Sequence, residues 1–171
     1  MRRLHSPAPA AAAIVADVSL ADLPEWNLAD LYPGMESEAF KEDVETALAE
    51  CKEFAASFKG RLDKLARDGG LIEAVRRYEA IDDKLGRIMS YAGLVYAGNT
   101  TDPVRAKFYG DTQDKITQAA SDLLFFSLEL NRIDDATLDA AAAGELAHFK
   151  PWLDDLRKDK PYQLDDKLEQ L

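Results

Sequence analysis

The chain has 171 residues, of which 47% are hydrophobic, so a single domain with its own buried core is expected. Its 32 Asp and Glu outnumber its 21 Lys and Arg, and the net charge of -11 disfavours nucleic acid as a partner, because a polyanion would be repelled. No stretch approaches the roughly 20 apolar residues that span a bilayer, which disfavours a membrane partner, and a single cysteine, Cys51, excludes an internal disulfide.

Residues 1–21 are predicted to form a disordered leader. They contain Arg2, Arg3, two prolines and an alanine run at 10–13. This pattern partly matches a signal peptide, but its apolar stretch is short and weakly hydrophobic, which disfavours secretion. The lone cysteine also fits a reducing compartment. The folded domain is expected over residues 22–171.

A loop rich in large apolar side chains precedes the first predicted helix. It contains Trp26, Leu28, Leu31 and Tyr32. Because leaving such side chains in water costs free energy, the loop is predicted to be ordered. We expect it to pack as a strap across the helices, with Trp26 and Tyr32 as its anchors.

Apolar residues at steps of three and four then predict three long helices. The first begins after the capping residue Ser37 and ends at Gly60. The second follows the glycine pair at 69–70 and ends near Gly98.

The third helix begins at Pro103, whose missing N–H costs nothing at a first helical position, and runs to Asn131. Three short helices are expected beyond it, from Asp134 or Asp135 to Ala143, from Pro151 to Lys158, and from Asp165 onward. No run alternates apolar and polar residues long enough to predict a strand. The predicted fold is all-α: an elongated antiparallel bundle of long helices with an amino-terminal strap and short carboxy-terminal helices.

The end of the third predicted helix is crowded with apolar side chains that cannot all face one neighbour. They are Leu123, Leu124, Phe125, Phe126, Leu128 and Leu130. Several of them are therefore expected to form an uncovered patch. Such a patch predicts self-association of the chain, most simply as a two-fold dimer.

The sequence predicts no metal site and no catalytic residue. The two histidines, His5 and His148, are far apart and do not form the H-E-x-x-H pattern that places two imidazoles on one zinc. Adjacent residues on a helix point about 100° apart, so paired acids are interpreted as solvated faces and helix caps. These pairs are Asp82-Asp83, Asp134-Asp135, Asp154-Asp155 and Asp165-Asp166.

Three tyrosines and an asparagine near the junction of the second and third helices are candidates for contact with a ligand. They are Tyr91, Tyr96, Asn99 and Tyr109. Their hydroxyl and amide groups could line a groove, whereas aromatic residues at helical spacing more often pack a core. Both interpretations stay open at this point.

A series of short motifs occurs in a definite order over residues 24–171. They are W-N-L-A-D-L-Y at 26–32, Tyr78 with D-D-K-L-G-R at 82–87, S-Y-A-G-L at 90–94, N-T-T-D at 99–102, F-F-S-L-E-L-N at 125–131, W-L-D-D-L-R at 152–157, and P-Y-Q-L at 161–164 with Glu169. Their order and spacing resemble the amino-terminal portion of oligoendopeptidase F, a thimet-oligopeptidase-like zinc metallopeptidase.

The resemblance implies a mostly helical, cytoplasmic enzyme that hydrolyses short peptides in a channel between lobes. The family's zinc motif lies downstream of the matching portion. The resemblance therefore implies zinc for the full-length enzyme and no cofactor in this chain. This chain alone is predicted to be inactive. The chain is interpreted as the helical lobe that helps to wall the substrate channel, cut off before the catalytic domain of the same polypeptide. Under that interpretation the four channel candidates would contact substrate. The alternative is a free-standing helical binding or assembly module without catalysis.

Overall fold

The computed structural model describes residues 26–164, and this part of the chain is helical, without strands. Its α-helices are α1 (Glu38–Phe58), α2 (Leu62–Asp68), α3 (Leu71–Gly98), α4 (Pro103–Ser121), α5 (Leu124–Arg132), α6 (Asp135–Ala143) and α7 (Lys150–Leu156), with short 3-10 helices at Ala147–Phe149 and Arg157–Tyr162. The all-α prediction is confirmed. The predicted leader at 1–21 and the last predicted helix, from Asp165, lie outside the described residues.

Three long helices, α1, α3 and α4, form the bundle. Their starts follow the local chemistry of the sequence: Ser37 Oγ accepts a hydrogen bond from the Phe40 amide at the start of α1. Asp102 Oδ1 accepts one from the Val104 amide at the start of α4. Side-chain oxygens at these positions satisfy amides that have no partner within the helix. None of the helices within residues 26–164 combines the length and apolar character needed to cross a membrane.

The helices α1 and α3 run antiparallel. Phe40, near the start of α1, contacts Tyr91 in the second half of α3, whereas Phe54, near the end of α1, contacts Tyr78 in the first half. The apolar stripe of α1 is buried along its whole length and consists of Phe40, Val44, Ala47, Cys51, Phe54 and Phe58. Each large side chain of this stripe contributes about 1.5–3 kcal/mol by leaving water, and this burial holds the helices together.

The short helix α2 was not predicted. It lies between Gly60 and Gly69, whose positive φ angles of 77° and 88° allow the chain to reverse where other residues would be strained. Leu62 is fully buried, and the exposed Arg67 donates to Asp134 at 3.0 Å, which connects α2 to the start of α6. A helix of seven residues has too few turns to give a periodic apolar signal.

The third predicted helix is divided into α4 and α5, so its predicted continuity is wrong. At the division, the Leu123 amide donates to the Ala120 carbonyl at 3.0 Å and the Phe126 amide to the Leu123 carbonyl at 2.9 Å. These bonds span three residues instead of four, which tightens the helix at this point. Most apolar side chains of α5 are buried in the core.

The predicted apolar patch on this segment is therefore also wrong. Five of its six members are buried, and Leu124 is half-buried; the buried ones are Leu123, Phe125, Phe126, Leu128 and Leu130. The expected patch was the reason to predict self-association, so that prediction no longer has this support and stays untested.

The strap has one of its two predicted anchors. Tyr32 is 2% exposed, its hydroxyl donates to Asp43 Oδ2 at 2.8 Å, and the Arg87 guanidinium lies 4.6 Å from its ring centre. Trp26 is 71% exposed, so its prediction as an anchor is wrong. The turn that brings Leu28 and Leu31 against the core begins after Trp26, which leaves the indole outside.

Arg157 donates most of the hydrogen bonds that attach the segment after α7 to the end of α5, and Gln163 Nε2 adds one to the Leu128 carbonyl at 3.3 Å. The Arg157 guanidinium donates to the carbonyls of Leu130, Asn131 and Ile133 at 3.0, 2.8 and 2.8 Å, and it also contacts the Asp135 carboxylate. These carbonyls lie at the end of α5, where helical carbonyls lack partners of their own. The charge also interacts favourably with the negative end of the helix dipole.

We expect substitution of the two strap aromatics to separate their roles. Tyr32→Ala should lower the free energy of unfolding by about 3–5 kcal/mol, because it removes a buried ring and a hydrogen bond. Trp26→Ala should change it by less than about 0.5 kcal/mol, because the indole is exposed. Urea denaturation measures both changes as shifts of the midpoint, provided that the free energy of unfolding depends on urea concentration equally in all variants. A similar loss for the two variants would contradict the structure.

Candidate functional site

The four residues that the sequence singled out do not converge on one groove. Tyr91 is 3% exposed and packs edge-on against Tyr32 at 5.1 Å, so it belongs to the core and offers little surface to a ligand. Tyr96 and Tyr109 are half-buried and stack face to face with ring centres 5.3 Å apart. Asn99 is exposed between α3 and α4, and contact of Tyr96, Asn99 and Tyr109 with a peptide stays a prediction.

Asn99 has a structural role in that turn. Its Oδ1 accepts hydrogen bonds from the Thr101 amide at 3.1 Å and the Thr101 hydroxyl at 2.8 Å. The backbone N–H of Asn99 donates to the Tyr96 carbonyl at the end of α3. This is the local geometry by which asparagine stabilises turns.

A concave site lies between α3 and α7, and we call it the α3–α7 groove. It has a volume of about 300 Å³ and is lined by Val75, Tyr78, Glu79, Asp82, Asp83, Phe149 and Trp152. The sequence motifs contained Tyr78, Asp82, Asp83 and Trp152 but did not show that they meet. Their meeting depends on the position of α7, which no local pattern predicts.

The wall of the groove is aromatic and rigid. Tyr78 stacks on Phe126 with ring centres 4.5 Å apart, and Trp152 lies 6.2 Å from Tyr78 with its ring plane inclined by 29°. Phe126 is fully buried, while Tyr78 and Trp152 are half-buried at the surface. Phe54 of α1 contacts both Tyr78 and Phe126, so α1, α3, α5 and α7 all contribute to the packing that positions the wall.

The rim of the groove is acidic. Glu79, Asp82 and Asp83 are exposed and occupy positions i, i+3 and i+4 of α3, so they share one side of that helix. None of the three makes an ion pair with another residue in the range 26–164. The interpretation of Asp82-Asp83 as a solvated face is consistent with their exposure. The pair alone did not indicate the groove, whose third carboxylate belongs to Glu79.

Tyr78 is the titratable group of the wall. Burial raises the pKa of its phenol, and the negative charge of Asp82 raises it further. The phenol therefore stays protonated at neutral pH. An uncharged aromatic face with carboxylates beside it attracts a cation more than an anion.

The other described acidic pairs serve as caps and surface ion pairs. Asp134 Oδ1 accepts from the Thr137 amide at 2.9 Å and caps α6. Asp154 pairs with Lys150 at 2.7 Å, and Asp155 pairs with Lys158. The remaining pair, Asp165-Asp166, lies outside the described residues.

The described residues do not fit the zinc that the family resemblance implies. Within 26–164 no three His, Cys, Asp or Glu side chains are grouped so that they could hold a metal ion. His148 is exposed and lies edge-on to Phe149 with ring centres 5.2 Å apart. His5 lies outside the described residues.

Cys51 is a core residue. It is fully buried in α1, and burial, with smaller effects of Asp122 and Glu50, raises the pKa of its thiol to about 11. The thiolate is the nucleophilic form of cysteine, so this thiol is unreactive at neutral pH.

We expect Cys51 to resist alkylation in the folded chain. At pH 8 the shift from the ordinary value of 9.0 to about 11 lowers the thiolate fraction about a hundredfold, and burial also blocks access. Iodoacetamide labelling followed by mass spectrometry should show slow modification in buffer and rapid modification in urea. Equal rates would place Cys51 at the surface.

The raised pKa of Cys51 should also lower the free energy of unfolding between about pH 9 and 11, since the thiol of the unfolded chain loses its proton first.

The carboxy-terminal quarter of the chain matches a known family. Residues 129–171 match the family model described as Oligopeptidase F. The comparisons with curated proteins and with solved structures gave no match. The family match confirms the resemblance to the amino-terminal lobe of an oligoendopeptidase F-like peptidase over residues that include α6, α7 and Arg157.

Proposed function

We propose that this chain, which carries the amino-terminal oligopeptidase F pattern at residues 129–171, is the helical lobe of a peptidase of that type. The family match is the observation that carries the proposal. It falls on α6, α7 and the 3-10 helices, and residues 129–171 contain no H-E-x-x-H motif. In this proposal the lobe binds and encloses, while hydrolysis belongs to another part of the same polypeptide.

The packing supports extending the proposal to the long helices. Within the matched segment, Trp152 contacts the ring of Tyr78 in α3, and Arg157 donates to the end of α5. Leu153 is 2% exposed and belongs to the same core as the α1 stripe. Residues 26–128 and the matched segment therefore share one core, as parts of one lobe would.

The proposal also covers the position of the lobe in the enzyme, its partner domain and its location in the cell. The lobe would help to wall a channel that admits short peptides, and its principal partner would be the catalytic zinc domain of the same polypeptide. The enzyme would act in the cytoplasm. Half-buried Tyr96 and Tyr109, with exposed Asn99, are the predicted channel contacts that the structure leaves partly accessible.

A second candidate is a free-standing helical module that binds or assembles without catalysis. The observation that favours it is the burial of the apolar side chains of α5, which were expected to face a second domain. A lobe whose apolar side chains are already buried within the chain does not need a second domain to cover them.

The mass of the native gene product distinguishes the two candidates. The peptidase proposal expects a product several times heavier than the 18.9 kDa of this chain, with H-E-x-x-H in its later part. Mass spectrometry of the protein isolated from its source, with peptide mapping, measures both. A native product of 18.9 kDa would overturn the peptidase proposal in favour of the module.

We expect the isolated chain to hydrolyse no peptides, with or without added zinc. The 171 residues contain no H-E-x-x-H, and so lack the paired imidazoles and the general base that a zinc peptidase needs. The measurement is a quenched-peptide assay of the purified chain, with a zinc peptidase as positive control. Turnover that follows the protein through two columns and disappears with chelator would contradict this prediction.

A further inference from the structure

We propose that the α3–α7 groove binds an arginine side chain presented by a peptide. The groove combines an aromatic wall from Tyr78 and Trp152 with the carboxylates of Glu79, Asp82 and Asp83. The proposal depends on these side chains alone and does not require the chain to belong to a peptidase.

The side chains that line the groove include three carboxylates and no basic group. Two basic residues of α3 that are close in sequence are paired with α1: Lys84 Nζ lies 2.8 Å from Glu50, and the Arg77 guanidinium lies 3.1 Å from Glu53. Arg76, three residues before Glu79, is exposed and does not line the groove. A cation in the groove would meet unpaired negative charge on a surface whose overall charge is also negative.

The aromatic wall favours a planar cation. A guanidinium stacks on indole and phenol faces and donates in a fixed fork to carboxylates, whereas an ammonium group is compact and strongly hydrated. Tyr78 and Trp152 both line the groove, with ring centres 6.2 Å apart and ring planes inclined by 29°. This geometry selects arginine over lysine.

The same combination already holds an arginine elsewhere in this protein. The Arg87 guanidinium lies 4.6 Å from the ring centre of Tyr32 and 3.6 Å from the carboxylate of Asp43. The α3–α7 groove repeats this pairing of an aromatic face with a carboxylate, but its residues have no internal cation. A guanidinium from outside would supply it.

The size of the groove limits the occupant. A volume of about 300 Å³ is at the lower end of the range for ligand sites, enough for one long side chain with its flanking backbone. The wall rests on the fully buried Phe126, so little rearrangement is needed for binding. An extended peptide can therefore insert one side chain, while a folded partner would meet only the rim.

The test follows the fluorescence of Trp152 in a Trp26→Phe variant, so that a single indole reports. A capped Gly-Arg-Gly peptide is titrated at low salt, with capped Gly-Gln-Gly and Gly-Lys-Gly as matched controls. We expect saturable quenching or a spectral shift with the arginine peptide, at least about tenfold weaker binding of the glutamine and lysine peptides, and loss of affinity as salt rises. Equal responses to the arginine and glutamine peptides would overturn the proposal.

Two double variants locate the site in the same Trp26→Phe background. Asp82→Asn with Asp83→Asn should weaken arginine-peptide binding about tenfold, whereas Asp68→Asn with Asp114→Asn should leave it unchanged, although both change the net charge equally. All four aspartates are exposed, and thermal melts check that both variants fold. The same loss in both variants would show attraction to the overall charge only, and no loss in the first would place the peptide elsewhere. Either result would overturn the proposal, and the peptide comparison stands even if a variant fails to fold.

Discussion

The contact of Tyr78, Phe126 and Trp152 is the constraint on which the rest of the structure depends. It joins three parts of the chain that are distant in sequence: a long helix of the bundle, α5 and the short α7. Phe126 contacts both other rings and is fully buried. It lies at the start of α5, directly after the division from α4. The groove between α3 and α7 follows from this arrangement, since the half-buried Tyr78 and Trp152 line it.

Local chemistry made the ends of the helices predictable. Ser37, Asp102 and Asp134 each cap a helix where the sequence indicated, because a side-chain oxygen and a following amide need nothing beyond the segment itself. The interruption at Asp122-Leu123 was not predictable in this way. Both residues keep right-handed helical angles, and neither glycine nor proline marks the position. What decides it is the burial of apolar side chains against several partners at once, which is a property of the whole fold.

The strap and the candidate site show the same limit. Composition correctly indicated that Tyr32 is buried, but it assigned Trp26 the same role, although only contacts across the fold determine which aromatic residue reaches the core. The tyrosines near the α3–α4 junction were recognisable as a cluster, and the structure separates buried Tyr91 from the stacked pair. The groove was missed because Trp152 and Asp82 are far apart in sequence. The signal that was available was the spacing of Glu79, Asp82 and Asp83 on one side of a helix.

The attachment of Arg157 to the end of α5 has a consequence for how this segment responds to its surroundings. Its acceptors at the end of α5 are three main-chain carbonyls, which carry no ionisable group. These three bonds therefore do not depend on the protonation of their acceptor, unlike the contact of the same guanidinium with the Asp135 carboxylate. A lysine at this position would keep the charge but could not reach three carbonyls with one planar fork. The planar shape of the Arg157 side chain, and not its charge alone, is therefore what this attachment requires.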